Sequence, residues 1–364
     1  MALKIGIVGL PNVGKSTLFN ALTKTRSADA QNYPFCTIDP NVGIVEVPDH
    51  RLPQLSRAAN SEKIIPATIE FVDIAGIVKG ASEGEGLGNK FLSHIRECDA
   101  IGHVIRIFDD PNITHVHGEI NPQSDREVIE SELILADLQT LEKRYAKAIS
   151  DSKSGDKEKK VYADLLGRVV AALESGVLAS QMDLDGEERL ALRDLHLLTS
   201  KPHIYIINVP ESELSLVDKA KFAAQLGIEN HDIIIPICAK LEEEIGELDD
   251  EEAAEYLREL EIADTGLSSL IQSAYKTLGL ATYFTSGVKE TRAWTIKKDF
   301  LAPQAAGVIH TDFEKGFIKA EVVNWEDFVN AGGDSKAKEK GLLRLEGKDY
   351  PVKDGDVIHF KFSS

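Results

Sequence analysis

The sequence contains few cysteines and no long apolar run, and each shortage excludes a class of protein. Its three cysteines, Cys36, Cys98 and Cys238, have no metal-ligand spacing and cannot all pair with one another. This favours a reducing compartment over a disulfide framework or a zinc site. No segment approaches twenty consecutive apolar residues, and the chain enters a strand without a basic and then apolar leader. We therefore expect a cytoplasmic protein with no membrane span.

Positive charge is also scarce. The 364 residues include 41 Lys and Arg against 60 Asp and Glu, a formal net charge of −19. Such a balance argues against a broad surface for polyanions, so that any contact with RNA must be local. The hydrophobic content of 43% is enough to build the cores of two or three domains.

A phosphate-binding loop follows the first apolar run of the chain, at residues 5–8. It reads Gly9-Leu10-Pro11-Asn12-Val13-Gly14-Lys15-Ser16-Thr17 and satisfies the pattern G-x-x-x-x-G-K-[ST] between a strand and a helix. In this loop the backbone N–H groups surround a triphosphate, the lysine reaches the β and γ phosphates, and the serine hydroxyl binds Mg²⁺. We assign to the nucleotide Asn12, Val13, Gly14, Lys15, Ser16 and Thr17. The sequence predicts a nucleoside triphosphate site with Mg²⁺ as its cofactor.

Two later segments supply candidates for the γ-phosphate side of this site. Residues 32–40 form a loop with two prolines, in which Thr37 is the candidate Mg²⁺ ligand. The strand at residues 67–72 ends in a D-x-x-G pattern, with Asp73 as the carboxylate acting on Mg²⁺ and Gly76 as the N–H that senses the γ phosphate. We therefore predict Ser16, Thr37 and Asp73 around the metal, and Lys15 and Gly76 in catalysis. The glycine-rich stretch at 79–89 is typical of a switch.

Residues 124–198 differ from the segments on either side because their apolar residues recur at helical spacing. The first series is Ile134, Leu138, Leu141, Tyr145 and Ala148, and a polar reversal at 150–156 separates it from a second series. This pattern predicts an antiparallel helical hairpin inserted into the nucleotide-binding domain. Two interpretations remain open: the hairpin is an arm for a partner, or it packs on its own domain.

Two further strands end where a nucleotide-binding sheet would hold the base. The first ends on Asn208-Val209-Pro210-Glu211 and the second on Cys238-Ala239-Lys240. Guanine-nucleotide switches carry N-K-x-D and S-A-K at these positions, so both diagnostic residues of the guanine reader are altered here. We predict that the Asn208 amide pairs with adenine, with Val209, Glu211, Cys238 and Ala239 around the base. ATP should then bind at least as well as GTP.

The acidity of the chain belongs to its first part. Residues 281–364 contain 13 basic and 13 acidic side chains, together with short apolar runs separated by glycines. This composition predicts a small β-rich module. We therefore divide the chain into a nucleotide-binding domain at 1–123 and 199–280, a helical insertion at 124–198, and a C-terminal module at 281–364.

The order of these motifs resembles the Obg-like ATPase family known as YchF. The motifs are GLPNVGKST, NYPFCTIDP, DIAG, GASEGEGLGN, NVPE and TDFEKGFIKAEV, and the resemblance covers essentially the whole chain. It implies a GTPase-type α/β sheet with an inserted hairpin and a C-terminal α+β, ubiquitin-like TGS module. It also implies ATP hydrolysis in preference to GTP and binding to the ribosome, with the large subunit and its rRNA as the suspected contact. We expect a monomer.

Two catalytic details complete the prediction. Asn12 stands where an asparagine helps to hold K⁺ in potassium-stimulated relatives of the GTPases, although it could also simply shape the turn. Ile77 follows the D-x-x-G pattern, where many switch GTPases carry a water-orienting glutamine. We place His115, in the loop at 109–117, in that role, against the alternative of a solvated surface histidine.

The sequence thus predicts a Mg²⁺-dependent ATPase switch that binds the ribosome. One alternative is a nucleotide-gated adaptor for the ribosome or RNA in which hydrolysis is incidental. The other is a switch that prefers GTP.

Overall fold

The computed structural model describes residues 3–25, 41–74, 87–109, 120–214, 218–230, 233–260, 262 and 265–363. The strands are β1 (Lys4–Val8), β2 (Val42–Glu46), β3 (Ile64–Ile65), β4 (Thr68–Asp73), β5 (Ala100–Arg106), β6 (His203–Asn208), β7 (Ile234–Ile237), β8 (Leu280–Ser286), β9 (Thr291–Lys297), β10 (Phe317–Asn324), β11 (Arg344–Glu346) and β12 (Asp356–Phe362). The helices are α1 (Lys15–Thr25), α2 (Arg51–Ala59), α3 (Leu87–Glu97), α4 (Pro122–Ser152), α5 (Lys157–Glu174), α6 (Gly186–Leu192), α7 (Glu211–Leu214), α8 (Lys219–Leu226), α9 (Ala239–Ile245), α10 (Asp250–Glu259), α11 (Gly266–Thr277), α12 (Ala302–Ile309), α13 (Thr311–Lys315), α14 (Trp325–Ala331) and α15 (Asp334–Glu339).

The first sheet has the strand order β2-β4-β1-β5-β6-β7. Only β2 runs antiparallel to its neighbour, and the other pairings are parallel. Every residue of β5 and β6 is buried, as expected for central strands of a parallel sheet that helices cover on both faces. The carboxyl ends of these strands meet at one edge of the sheet, and ligands of such folds bind at that edge. The predicted α/β fold of the P-loop type is confirmed.

The helices α4 and α5 form the predicted hairpin, but α4 has two different environments. Near its start, Ile129, Leu133 and Ala136 belong to the same core as the first sheet. Further along, Leu141 and Ala148 pack with residues of α5 in a separate core. The start of the insertion therefore packs on its own domain, whereas its outer part is a paired helical arm, for which a partner stays a prediction.

Buried hydrogen bonds fix the base of this arm. Asp137 of α4 accepts from the backbone N–H groups of Leu198 and Thr199 at 2.9 and 2.8 Å, and from the Thr199 hydroxyl at 2.6 Å. The Tyr205 hydroxyl on β6 donates to Glu130 Oε1 at 2.7 Å. Burial raises the pKa of both carboxyl groups. These contacts join α4 to the sheet and set the direction of the arm.

The second sheet joins the C-terminal strands to a short strand from the first part of the chain. Its order is β11-β10-β12-β8-β9-β3, and β3 pairs with β9 through Ile64 and Ile65. Phe284 and Phe328 also belong to the core that contains the first sheet. The C-terminal segment, predicted as a β-rich α+β module, consists of strands and helices, and these pack directly on α2 and β3.

Arg51 of α2 reinforces this contact. Its guanidinium donates to Asp49 on one side and to Asp354 on the other, the latter at 2.6 Å, and it lies 4.9 Å from the centre of the Phe284 ring. Because Asp354 and Phe284 belong to the C-terminal segment, one side chain holds the two parts of the chain together.

Among the helices of the described ranges, none combines the length and apolar character needed to cross a membrane.

Two histidines are buried in the sheet face that carries Tyr205. The rings of His103 on β5 and His203 on β6 have their centres 5.9 and 6.2 Å from that of Tyr205. Burial lowers the pKa of His103 to about 3 and that of His203 to about 4. Within the described part of the chain, His103 Nδ1 and His203 Nε2 have no hydrogen-bond partner, so protonation would place an unpaired charge inside the protein.

We expect the free energy of unfolding to fall as the pH drops from about 6.5 towards 4. In the unfolded chain these histidines bind protons below pH 6.5, whereas in the folded protein they stay neutral until their lowered pKa values. Between pH 6.5 and its lowered pKa, each buried histidine should reduce the free energy of unfolding by about 1.4 kcal/mol per pH unit. Protonation of Glu130, whose pKa is raised, acts in the opposite direction. Urea unfolding at pH 7 and pH 5 should show a smaller loss for His103→Gln and His203→Gln than for the unaltered protein.

The matched control is His359→Gln, at an exposed position on β12. Between pH 7 and pH 5, this variant should lose as much free energy of unfolding as the unaltered protein does. Equal losses in all three variants would contradict the assignment to the buried pair.

Candidate nucleotide-binding site

The loop between β1 and α1 has a backbone that only particular residues can adopt. Gly14 has φ of +96°, and a Cβ added there would lie 2.3 Å from Asn208 Nδ2. Asn12 has φ of 63°, in the left-handed region that asparagine tolerates better than most residues. The Gly14 carbonyl then accepts from the Leu18 N–H at 2.9 Å and begins α1. The local sequence thus determines a loop whose N–H groups converge at the start of a helix.

Lys15 and Asp73 are brought together at the edge of the sheet. Lys15 opens α1 directly after the loop, and Asp73 ends β4, which is parallel to β1. Lys15 Nζ lies 3.2 Å from Asp73 Oδ1, with side-chain exposures of 12% and 22%. The two charges therefore face the same partly buried space. A triphosphate bound there would attract the ammonium group, and a divalent cation would attract the carboxylate.

The donors at this edge suit Mg²⁺. Ser16 supplies a hydroxyl and Asp73 a carboxylate, and hard oxygen donors of this kind are the ligands that Mg²⁺ accepts. The residues that the structure describes contain no group of three His, Cys, Asp or Glu side chains able to hold a metal. A cation at this site would thus complete its coordination with phosphate oxygens and water, as Mg²⁺ commonly does.

Asn208 is a brace between two loops. Its Nδ2 donates to the Val13 carbonyl at 3.0 Å, and its Oδ1 accepts from the Ala239 N–H at 3.1 Å. The side chain is buried, at 7% exposure. These contacts use one of the two amide hydrogens and one of the two lone pairs of the oxygen, so the pairing of Asn208 with adenine stays a prediction. Asn208 is a positioning residue that ties the phosphate loop to the turn before α9.

The other predicted base-site residues differ in exposure. Val209 is buried and its N–H donates to the Ile237 carbonyl at 2.9 Å, so its backbone N–H is not directed at a ligand. Cys238 and Ala239 are also buried, and burial raises the pKa of the Cys238 thiol. Glu211 is exposed at the start of α7 and borders a cavity of about 530 Å³. The remaining lining residues are Pro210, Ser212, Leu260 and Ile262.

Arg106, for which the sequence predicted no role, supports the phosphate loop through the carbonyl of Asn12. It is 1% exposed at the end of β5, its Nη1 donates to the Asn12 carbonyl at 3.1 Å, and its guanidinium lies 5.5 Å from the centre of the Phe108 ring. Arginine is rarely buried without a partner, so an arginine within the apolar run at 100–108 was a signal in the sequence of a structural or functional contact.

Three predicted residues, Thr37, Gly76 and His115, lie outside the described residues.

The fold and the site together define a class of protein. A mostly parallel sheet presents a phosphate loop, a lysine–aspartate pair and an asparagine brace at the carboxyl ends of its strands, which is the arrangement of a P-loop nucleotide-binding protein of the switch type.

Comparisons with known proteins identify the family. The chain is 54% identical to the Ribosome-binding ATPase YchF of Bacillus subtilis (strain 168) and 51% identical to that of Escherichia coli O157:H7, each match covering 100% of both chains. It therefore belongs to the YchF family. The structure of the Schizosaccharomyces pombe YchF GTPase is 38% identical, with a TM-score of 0.88 over 99% of this chain and 97% of that chain.

Two family models match parts of the chain. Residues 4–173 match a model described as 50S ribosome-binding GTPase. Residues 280–363 match the YchF-GTPase_C model, described as a protein of unknown function (DUF933). The second match begins where β8 begins, so the C-terminal strands and helices correspond to a segment recognised in this family.

We expect Asn208→Ala to weaken the binding of ATP and of GTP by a similar factor, because it removes the brace that positions the phosphate loop for either nucleotide. Two partners are left unpaired in a buried position, at about 1–3 kcal/mol each, so a loss of roughly tenfold or more should be measured by equilibrium titration. Asn20→Ala, at an exposed position of α1, is the control and should leave both affinities unchanged. A selective loss of ATP binding would instead favour direct reading of adenine.

Proposed function

We propose that this protein is a Mg²⁺-dependent ATPase of the P-loop switch class that hydrolyses ATP to ADP and phosphate and binds the ribosome. The observation that carries the proposal is the 3.2 Å pair of Lys15 and Asp73 at the phosphate loop. It joins the two charges that such enzymes direct at the phosphates and at the metal. The names of the Bacillus subtilis and Escherichia coli relatives support the activity and the partner.

The choice of ATP over GTP rests on the altered base site. Guanine readers use an aspartate at the position of Glu211, whereas this glutamate is exposed at the start of α7 beside the cavity. Val209, at the position of the reader's lysine, is buried and apolar. Without those polar contacts, the described part of the site contains no group built to reject adenine. A GTP-preferring switch is the competing proposal, and the name of the Schizosaccharomyces pombe relative favours it.

The ribosome is the proposed partner, with the large subunit and its rRNA as the contact. The description of the model that matches residues 4–173 supports the large subunit. We place the protein in the cytoplasm, where ribosomes are found, and propose that it acts as a monomer. A nucleotide-gated adaptor in which hydrolysis is incidental is the alternative, and the outer half of the α4–α5 arm favours it because its helices pack on each other and not on the sheet.

We expect ribosomes to increase the rate of ATP hydrolysis several-fold. Removing the ammonium group in Lys15→Ala should abolish turnover both with and without ribosomes, because no other described side chain of the loop carries a positive charge towards the phosphates. Steady-state turnover with ATP and with GTP, in the presence and absence of ribosomes, measures this. Ribosome binding without any stimulation would favour the adaptor, and faster turnover of GTP would favour the competing switch.

The proposed K⁺ site at Asn12 is tested by the same assay in K⁺ and in Na⁺ at matched ionic strength. The left-handed backbone of Asn12 supports a role in shaping the turn. Equal rates in the two salts would contradict the K⁺ site and leave Asn12 only its role in shaping the turn.

We propose further that His115 orients the attacking water and that Gly76 contacts the γ phosphate through its N–H. The residue after the D-x-x-G pattern is Ile77, which cannot orient water. His115→Ala should slow single-turnover hydrolysis roughly tenfold or more, a change of about 1.4 kcal/mol or more in the transition state, while ATP affinity is retained. His359→Ala, at an exposed position on β12, is the control. An unchanged single-turnover rate would remove His115 from the mechanism.

A further inference from the structure

The outer end of the α4–α5 arm differs in charge from the rest of the protein. We call residues 143–161 the arm tip. They contain seven basic side chains and three acidic ones, a net charge of +4, so the remainder of the chain carries −23. The basic residues are Lys143, Arg144, Lys147, Lys153, Lys157, Lys159 and Lys160. The arm tip is thus a concentrated positive region on an acidic protein.

The lysines of the arm tip are available to a partner. All six are exposed, and none lies within 4 Å of a carboxylate oxygen among the residues that the structure describes. By contrast, several lysines elsewhere are paired: Lys4 with Glu70, Lys15 with Asp73, and Lys361 with Glu321. Within the described residues, these lysines therefore form no close ion pair.

The two helices of the arm that carries these lysines pack closely on each other. Arg144 of α4 donates to the Tyr162 hydroxyl of α5 at 3.2 Å and lies over its ring at 5.8 Å. Gly167 permits a close approach of Tyr145, because an added Cβ would lie 2.8 Å from the tyrosine hydroxyl. Since a helix rises about 1.5 Å per residue, the end of α4 lies roughly 20 Å beyond the anchor at Asp137. The lysines around the turn between α4 and α5 are thus held away from the acidic body of the protein, whereas Lys143 borders a cavity that Leu92 and Arg96 of α3 also line.

We propose that the arm tip docks on the phosphate backbone of RNA. This inference rests on the proposed function, because it assigns a surface to the contact with the ribosome. Lysine ammonium groups act as mobile point charges suited to phosphates and carry no base specificity. Only Val161 and Ile149 are exposed large apolar residues in the arm tip, and such isolated side chains do not form the apolar core of a protein interface. RNA is therefore favoured over an acidic protein.

The first turns of two helices provide matched variants. Lys157 and Lys159 are the first and third residues of α5, after the N-cap Asp156. Lys219 and Lys221 are the first and third residues of α8, after the N-cap Asp218. All four lysines are exposed. Because an acidic residue in the first turn is favourable to a helix, the changes to glutamate should leave both helices folded.

The experiment compares K157E/K159E with K219E/K221E and with the unaltered protein. Ribosome binding is measured by co-sedimentation over a series of salt concentrations, and binding to a double-stranded RNA hairpin and to polyglutamate is measured by fluorescence anisotropy. At about 0.1 M salt the α5 variant should bind ribosomes and the RNA hairpin roughly tenfold or more weakly. The slope of log affinity against log salt concentration should become less steep by the equivalent of about two phosphate contacts. The α8 variant should bind as the unaltered protein does, and ATP turnover without ribosomes should be the same in all three.

Different results would overturn the inference and the proposed function. Unchanged binding of the α5 variant to ribosomes and to RNA would overturn the inference alone. Loss of ribosome binding with unchanged RNA binding, or tight binding of polyglutamate, would overturn RNA as the partner class. If the unaltered protein does not bind ribosomes, the proposed function fails, and the RNA hairpin then tests the arm tip by itself.

Discussion

The hydrogen bonds of the Asn208 amide are the constraint on which the nucleotide site depends. This side chain joins the Val13 carbonyl of the phosphate loop to the Ala239 N–H at the start of α9. The contact is possible only because position 14 is a glycine, since a Cβ there would collide with the amide. The conformation of the phosphate loop and the position of the turn before α9 are therefore set together. Arg106 at the end of β5 also holds the phosphate loop, by donating a hydrogen bond to the Asn12 carbonyl.

Electrostatics distinguish the working regions from the rest of this acidic molecule. At the phosphate loop, Lys15 and the buried Arg106 place positive charge beside the site where a triphosphate would bind. At the other end of the arm, the exposed lysines of the arm tip form a second positive region. The buried face between α4 and the sheet has a different character, because burial keeps His103 and His203 neutral and raises the pKa of Glu130. Positive charge is thus concentrated where anionic ligands are proposed.

The parts of the chain are joined by structural contacts and not only by linkers. The base of α4 shares a core with the first sheet, and Asp137 ties it to Leu198 and Thr199. The C-terminal strands take β3 into their sheet, and Arg51 holds Asp354 across the same contact. The nucleotide-binding sheet, the arm and the C-terminal segment are therefore in direct physical contact through packed elements.

The sequence by itself determined the features that depend on neighbouring residues. The strand, loop and helix around Lys15 follow from local glycine and lysine spacing, and the paired helices of the arm follow from the apolar periodicity around Leu141. Asp73 was also found from its place at a strand end. Tertiary structure alone decided that Asn208 braces the phosphate loop, because its partners lie 195 and 31 residues away. It likewise decided the pairing of β3 with β9, because such contacts depend on which distant segments fold against each other and leave no periodic signal in the chain.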